Sequence, residues 1–134
     1  GLSRTPDRTV TDATRLSLDG WRALERGDAA AARAALDRAV QLRPDDGVHR
    51  YRRGRALLAL QDRAAARADF ERALQVRPLP PAPFVADSYC QLGAIFEASA
   101  DRARAVSMYD AAAHAHGAWA ATRDRAQRAL ARLR

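Results

Sequence analysis

A stretch of eighteen residues occurs twice in this chain, almost position by position. Residues 27–44 read GDAAAARAALDRAVQLRP and residues 61–78 read QDRAAARADFERALQVRP. Around them Gly20 recurs at Gly54, Ala32 at Ala66, Leu36 at Phe70, Ala39 at Ala73 and Pro44 at Pro78, every step being 34 residues. A third copy follows at a shift of 39, taking Gly54 to Gly93, Ala66 to Ala105, Phe70 to Tyr109 and Ala73 to Ala112. The five extra residues fall in Leu79-Pro80-Pro81-Ala82-Pro83, where prolines forbid a helix interior and a longer connection belongs. A repeat of this length is one supersecondary unit that cannot bury its apolar face alone, so the copies must stack into a shared core.

The repeat is helical. Hydrophobic residues make up 48% of the chain, enough to fold, but much of that is alanine and only 6% is aromatic. Alanine is the best helix former and lets helices approach closely. Strand-favouring residues are sparse and show no alternating runs. Helices are expected near 12–26, 29–42, 46–60, 63–76, 83–99, 102–115 and 118–133. Asp28, Asp62 and Asp101 stand where the second helix of each pair begins, as N-caps, and Pro44 and Pro78 end the second helices. Gly20, Gly54 and Gly93 lie mid-helix, where glycine costs about 1 kcal/mol against alanine. That cost is understandable if the second helix crosses close to the backbone there, with Ala32, Ala66 and Ala105 as the matching small contacts.

The third copy carries Tyr89-x2-Leu92-Gly93-x2-Phe96 and Ala105-x3-Tyr109. The second has Gly54-x2-Leu57, Ala66-x3-Phe70 and Pro78, and the first Gly20-x2-Ala23, Ala32-x3-Leu36 and Pro44. Over residues 12–117 the chain thus resembles the tetratricopeptide repeat family, whose signature has these residue types at these spacings. It departs from the pattern at Asp19 and Arg53, where a leucine precedes the glycine, and at Gly117, where the third proline would stand. The resemblance implies an all-α solenoid of three antiparallel helix pairs, with a seventh, C-terminal helix that solvates the open end. The expected organisation is a linker or frayed terminus over 1–11 and a single domain over 12–134. Its repeats would span about 13–46, 47–80 and 86–117, with the capping helix at about 118–133.

The family's arrays curve so that the first helix of each pair lines a concave groove, which implies a non-enzymatic scaffold for a peptide or partner-protein segment. Helical spacing and repeat register then give the groove ladder: Thr14, Ser17, Trp21 and Leu24; Val48, Tyr51, Arg55 and Leu58; Asp87, Cys90, Ala94 and Glu97. Arg52 joins them. Trp21, Tyr51 and Arg55 are the residue types that dominate binding hot spots. Trp119, early in the terminal helix, is expected to pack onto the third repeat. A subclass of the family grips a C-terminal carboxylate with lysine and asparagine. This chain has neither residue type and offers Ser17, Trp21 and Arg52 at comparable places, so that clamp is unsupported. Arg52 and Arg55 remain able to hold a carboxylate bidentately.

All 23 basic residues are arginine, against 16 acids, for a formal net charge of +7. That excess raises a second reading, single-stranded nucleic-acid binding by an arginine-rich solenoid. The arginines are interleaved with acids, as in Asp37-Arg38 and Glu71-Arg72, which suits an ion-paired helix surface better than a basic patch. Self-association is a third reading. Catalysis and metal binding find no support. His114 and His116 point to different faces of a helix, nothing pairs His49 with Cys90, and Asp45-Asp46-Gly47 is turn and cap chemistry rather than a calcium loop. No phosphate-binding glycine loop occurs, and no cofactor is implied. The lone Cys90 excludes an intramolecular disulfide. The composition fits a GC-rich bacterial genome and Gly1 fits a processed or excised piece of a larger protein. With no signal peptide or membrane span visible, cytoplasmic and periplasmic placements both stay open.

Overall fold

The computed structural model describes residues 8–134. Seven helices follow one another: α1 (Thr9–Glu25), α2 (Ala29–Leu42), α3 (Gly47–Ala59), α4 (Arg63–Gln75), α5 (Ala82–Ala98), α6 (Arg102–His114) and α7 (Ala120–Leu133). No strand occurs among the described residues. Helix α1 starts three residues ahead of its expected first turn, with Asp12 there to favour the positive end of the helix dipole. The rest of the expected N-terminal linker, 1–7, lies outside the described residues. Helix α7 starts two residues late, because Gly117 takes a left-handed φ of 74° and Trp119 is extended (φ −59°, ψ 145°).

The expected caps are present. Asp28, Asp62 and Asp101 accept from the backbone N–H of Ala31, Ala65 and Arg104 at 3.1, 3.2 and 3.1 Å. Asp46 does the same for Val48 at 2.9 Å, starting α3. Each pair also turns by one design. Gly27, Gln61 and Ala100 occupy the left-handed region at φ 86°, 65° and 59°. The following Asp28, Asp62 and Asp101 N–H groups close back on Ala23, Leu57 and Phe96, which is the Schellman termination. Only the first copy has the glycine this geometry favours.

Within each pair the glycine admits a large side chain, and in the first pair the backbone carbonyl of the expected Ala32 as well, 3.1 Å from a Cβ on Gly20. A Cβ on Gly20, Gly54 or Gly93 would lie 2.7, 2.8 and 2.7 Å from Leu36, Phe70 and Tyr109 respectively. The fully buried Ala32, Ala66 and Ala105 sit one turn earlier on the same face of the second helix. Arg53, where the family pattern has leucine, is also accounted for. Its guanidinium makes a bidentate pair with the buried Asp69 of α4 at 2.7 and 2.8 Å, and Arg50 adds a third contact at 3.3 Å. The hairpins then stack, with one large core running from Tyr51 to Leu130 and a smaller cluster of Ala23, Ala32, Leu36 and Ala56 at the N-terminal end.

Candidate functional site

The first helices of the pairs form a row: α1 touches α3, α3 touches α5 and α5 touches α7, whereas α2, α4 and α6 do not touch one another. A stack joined closely on one side and splayed on the other curves toward the joined side. The concave face is therefore built by α1, α3, α5 and α7.

Part of the expected ladder forms the seam between these helices instead of the surface of the trough. Ser17, Tyr51, Asp87 and Cys90 are all buried, at 0, 1, 2 and 1% exposure. Asp87 is the centre of the seam. Its Oδ2 accepts from Tyr51 Oη at 2.5 Å, Gln91 Nε2 at 3.1 Å and Arg55 Nη1 at 3.3 Å, and its Oδ1 accepts from Thr122 Oγ1 at 2.8 Å. One carboxylate thus receives donors from α3, α5 and α7. Cys90 lies 4.0 Å from the Thr122 carbonyl, beneath α7. Burial, with the Asp87 charge second, pushes its thiol up to about 11. The same two causes, in the same order, raise the Tyr51 phenol well above the usual tyrosine range. A neutral donor facing a fixed carboxylate is the result.

The other ladder residues divide. Thr14 borders a trough on the outer edge of α1 together with Val10 and Leu18, on nearly the same line of the helix as Trp21 two turns on. Val48 faces the proline connection, beside Pro78 and Pro80. Leu24 and Leu58 are half-buried against the two cores, and Ala94 is exposed. Glu97 is occupied by the Tyr109 hydroxyl and by Arg132 of α7, whose hydrogen bond holds its carboxyl below the usual range. Trp21, Arg52 and Arg55 remain partly open.

Two residues join these three that the sequence reading left elsewhere. Phe84 of α5 packs edge-on against Tyr51 at 5.3 Å, and Trp119 packs edge-on against Phe84 at 5.2 Å and tilted on Tyr51 at 6.4 Å. Trp21 leans on the other side of Tyr51 at 6.2 Å. Tyr51 is therefore the floor of an aromatic arc in which Trp21 and Phe84 are partly buried and Trp119 is 41% exposed. Trp119 does pack onto the third repeat, as expected, but from the concave side. Its signal was its spacing, three residues before Thr122, as Phe84 stands three before Asp87.

Two guanidiniums lie over the arc, Arg55 5.4 Å from the Trp21 ring centroid and Arg52 5.9 Å from that of Phe84. Their charges are balanced differently. Arg55 is paired with Asp87, and Arg50 and Arg53 with Asp69. Arg52 donates to Ser17 Oγ at 2.9 Å but ion-pairs with no carboxylate among the described residues. Burial lowers its pKa, against the smaller pull of the Asp46 charge, which stands beyond ion-pair distance.

His49 is buried, its Nδ1 has no hydrogen-bond partner, and burial lowers its pKa against the pull of Asp46. Its Nε2 faces Asp46 at 3.5 Å. No group of three or more His, Cys, Asp or Glu among the described residues is placed to hold a metal ion. No described helix is long and apolar enough to cross a membrane.

A row of helical hairpins whose first helices share one seam defines an α-solenoid. The family described as tetratricopeptide repeat matches residues 50–78, which span α3 and α4. The matched span and the seven-helix stack both fit a tetratricopeptide-type repeat protein. Comparison with curated proteins gives no match. The repeat type suggests a protein-interaction scaffold.

Proposed function

We propose that the chain is a non-enzymatic scaffold whose concave face receives an acidic segment of a partner protein. The segment would lay apolar side chains on Trp21, Phe84 and Trp119 and present a carboxylate to Arg52. The observation that carries this reading is that Arg52, though hydrogen-bonded to Ser17, ion-pairs with no carboxylate among the described residues. A guanidinium half withdrawn from water gains most from an anion supplied from outside, because such hydrogen bonds are charge-assisted and the desolvation is already spent. Aromatic rings and arginine are also the side chains that concentrate binding energy at interfaces.

Arg52→Gln tests the proposal. Acidic peptides selected against the wild-type chain should bind the variant at least about tenfold more weakly, with helicity and melting temperature little changed. Trp21→Ala and Trp119→Ala should each weaken binding to a similar degree. Undiminished binding by Arg52→Gln would remove the anchor on which the reading rests. Arginines interleaved with rings also favour a second reading, stacking of single-stranded nucleic acid. The pairing of Arg50, Arg53 and Arg55 with buried acids leaves less free charge than phosphates need. Oligonucleotide affinity falling steeply with salt would select that second reading over the first.

A further inference from the structure

We infer that the outer face of α1 is a self-association surface on which a second copy of the chain docks antiparallel, about a two-fold axis. This face is centred on Leu18, about 60° around α1 from Trp21 of the concave face, and the two ends of the described stack differ in kind. The terminal helix α7 exposes Arg123, Asp124, Arg125 and Arg128, a charged surface that water covers well. The outer face of α1 exposes Val10 at 47% and Leu18 at 37%. These two line a shallow trough of about 380 Å³ with Thr11, Thr14, Arg15, Asp19 and Arg22.

The charges beside this trough specify the occupant. On a helix rising 1.5 Å per residue, Arg15 and Asp19 stand about 3 Å below and above the level of Ser17. Asp12 and Arg22 stand about 7.5 Å below and above it. All four fall within about 80° of one another around the helix at 100° per residue, so they form one flank of the face. A two-fold axis at the level of Ser17 inverts that flank onto itself. Arg15, which within its own helix pairs with Asp12 at 3.3 Å, then also meets Asp19 of the second copy, and Asp12 meets its Arg22, four opposite-charge pairs across the axis in all. Leu18, about 1.5 Å from the axis level, meets its own copy at the centre, with Thr14 beside it. Arg8 and Arg26 form the one like-charged pairing, at the helix ends, where both are exposed. Self-complementarity of this kind is what a two-fold interface requires. One helix face is small beside the ~800 Å² per partner of a standard interface, so the association is weak and depends on concentration.

Sedimentation velocity of the chain from micromolar to ~1 mM tests this, with circular dichroism to confirm that each variant keeps its helices. The wild type should pass from monomer to dimer. Asp19→Arg places Arg15 against a new arginine and should raise the dissociation constant at least about tenfold. Adding Arg15→Asp restores opposite charges with the signs exchanged and should bring the constant back to within about threefold of wild type. Leu18→Glu should abolish the dimer. A wild type that stays monomeric throughout overturns the inference, as does a dimer that Asp19→Arg leaves intact. Neither result bears on peptide binding in the concave trough.

Discussion

Tyr51 and Asp87, on the first helices of successive hairpins, are joined by a 2.5 Å hydrogen bond between two almost fully buried groups. The bond is part of the seam and contributes to holding α3, α5 and α7 in one row. Asp87→Ala leaves the Tyr51, Gln91 and Thr122 donors without an acceptor and Arg55 without its counter-charge. The expected loss is about 3 kcal/mol or more of unfolding free energy. Tyr51→Phe deletes one donor and should cost about 1–2 kcal/mol. Urea denaturation of both variants checks the ordering. An Asp87→Ala protein as stable as the wild type would mean that the seam is not held by this carboxylate.

The chain should be stable across neutral pH and lose stability in alkali. Folding raises the Tyr51 and Tyr109 phenols above their ordinary range, and moves the Cys90 thiol from 9.0 to about 11. For each, the protonated form is the one the fold favours. The stabilisation is therefore fully present below the group's unfolded pKa and is lost as pH rises through the folded value. With no lysine in the chain, no side-chain ammonium group obscures this window. Melting temperature should hold level up to about pH 9 and fall above it. The fall should be shallower in the Tyr51→Phe, Tyr109→Phe double variant, and equal slopes would count against the assignment.

Two glycine exchanges should move stability in opposite directions. Gly54→Ala improves intrinsic helix propensity by about 1 kcal/mol, but its methyl would sit 2.8 Å from the Phe70 ring at the centre of a packed core. Overpacking of that kind costs about 1–3 kcal/mol, so the net effect is destabilising. Ala100→Gly relieves an L-residue at φ 59° and should gain about 0.5–1 kcal/mol. Thermal melts of the two single variants suffice to check both signs.

Helix positions were readable because their punctuation is chemical. Asp28, Asp62 and Asp101 start helices by capping them, and Arg43 is turned out of helical geometry by the proline that follows it (φ −135°, ψ 76°). The surface of the trough was less readable. Spacing along one helix shows which residues share a face, but not how far the neighbouring first helix covers that face. Ser17, Tyr51, Asp87 and Cys90 went from trough to seam for that reason. Phe84 was missed because it follows a run of prolines that reads as a connection, and Trp119 because its helix reads as a lid on the outside of the third repeat. Arg53 against Asp69 shows the converse. A departure from the family pattern in one helix was answered by a buried acid in the next, which no single-helix reading reveals.

Tyr51 contacts four other rings: Trp21 from α1, Phe70 from α4, Phe84 from α5 and Trp119 at the start of α7. Helical solenoids ordinarily bend like springs, by small rotations shared among their units. Bending this one would shear all four ring contacts at a single hub. The trough is consequently stiff, so that a segment entering it would itself bear the cost of adapting shape.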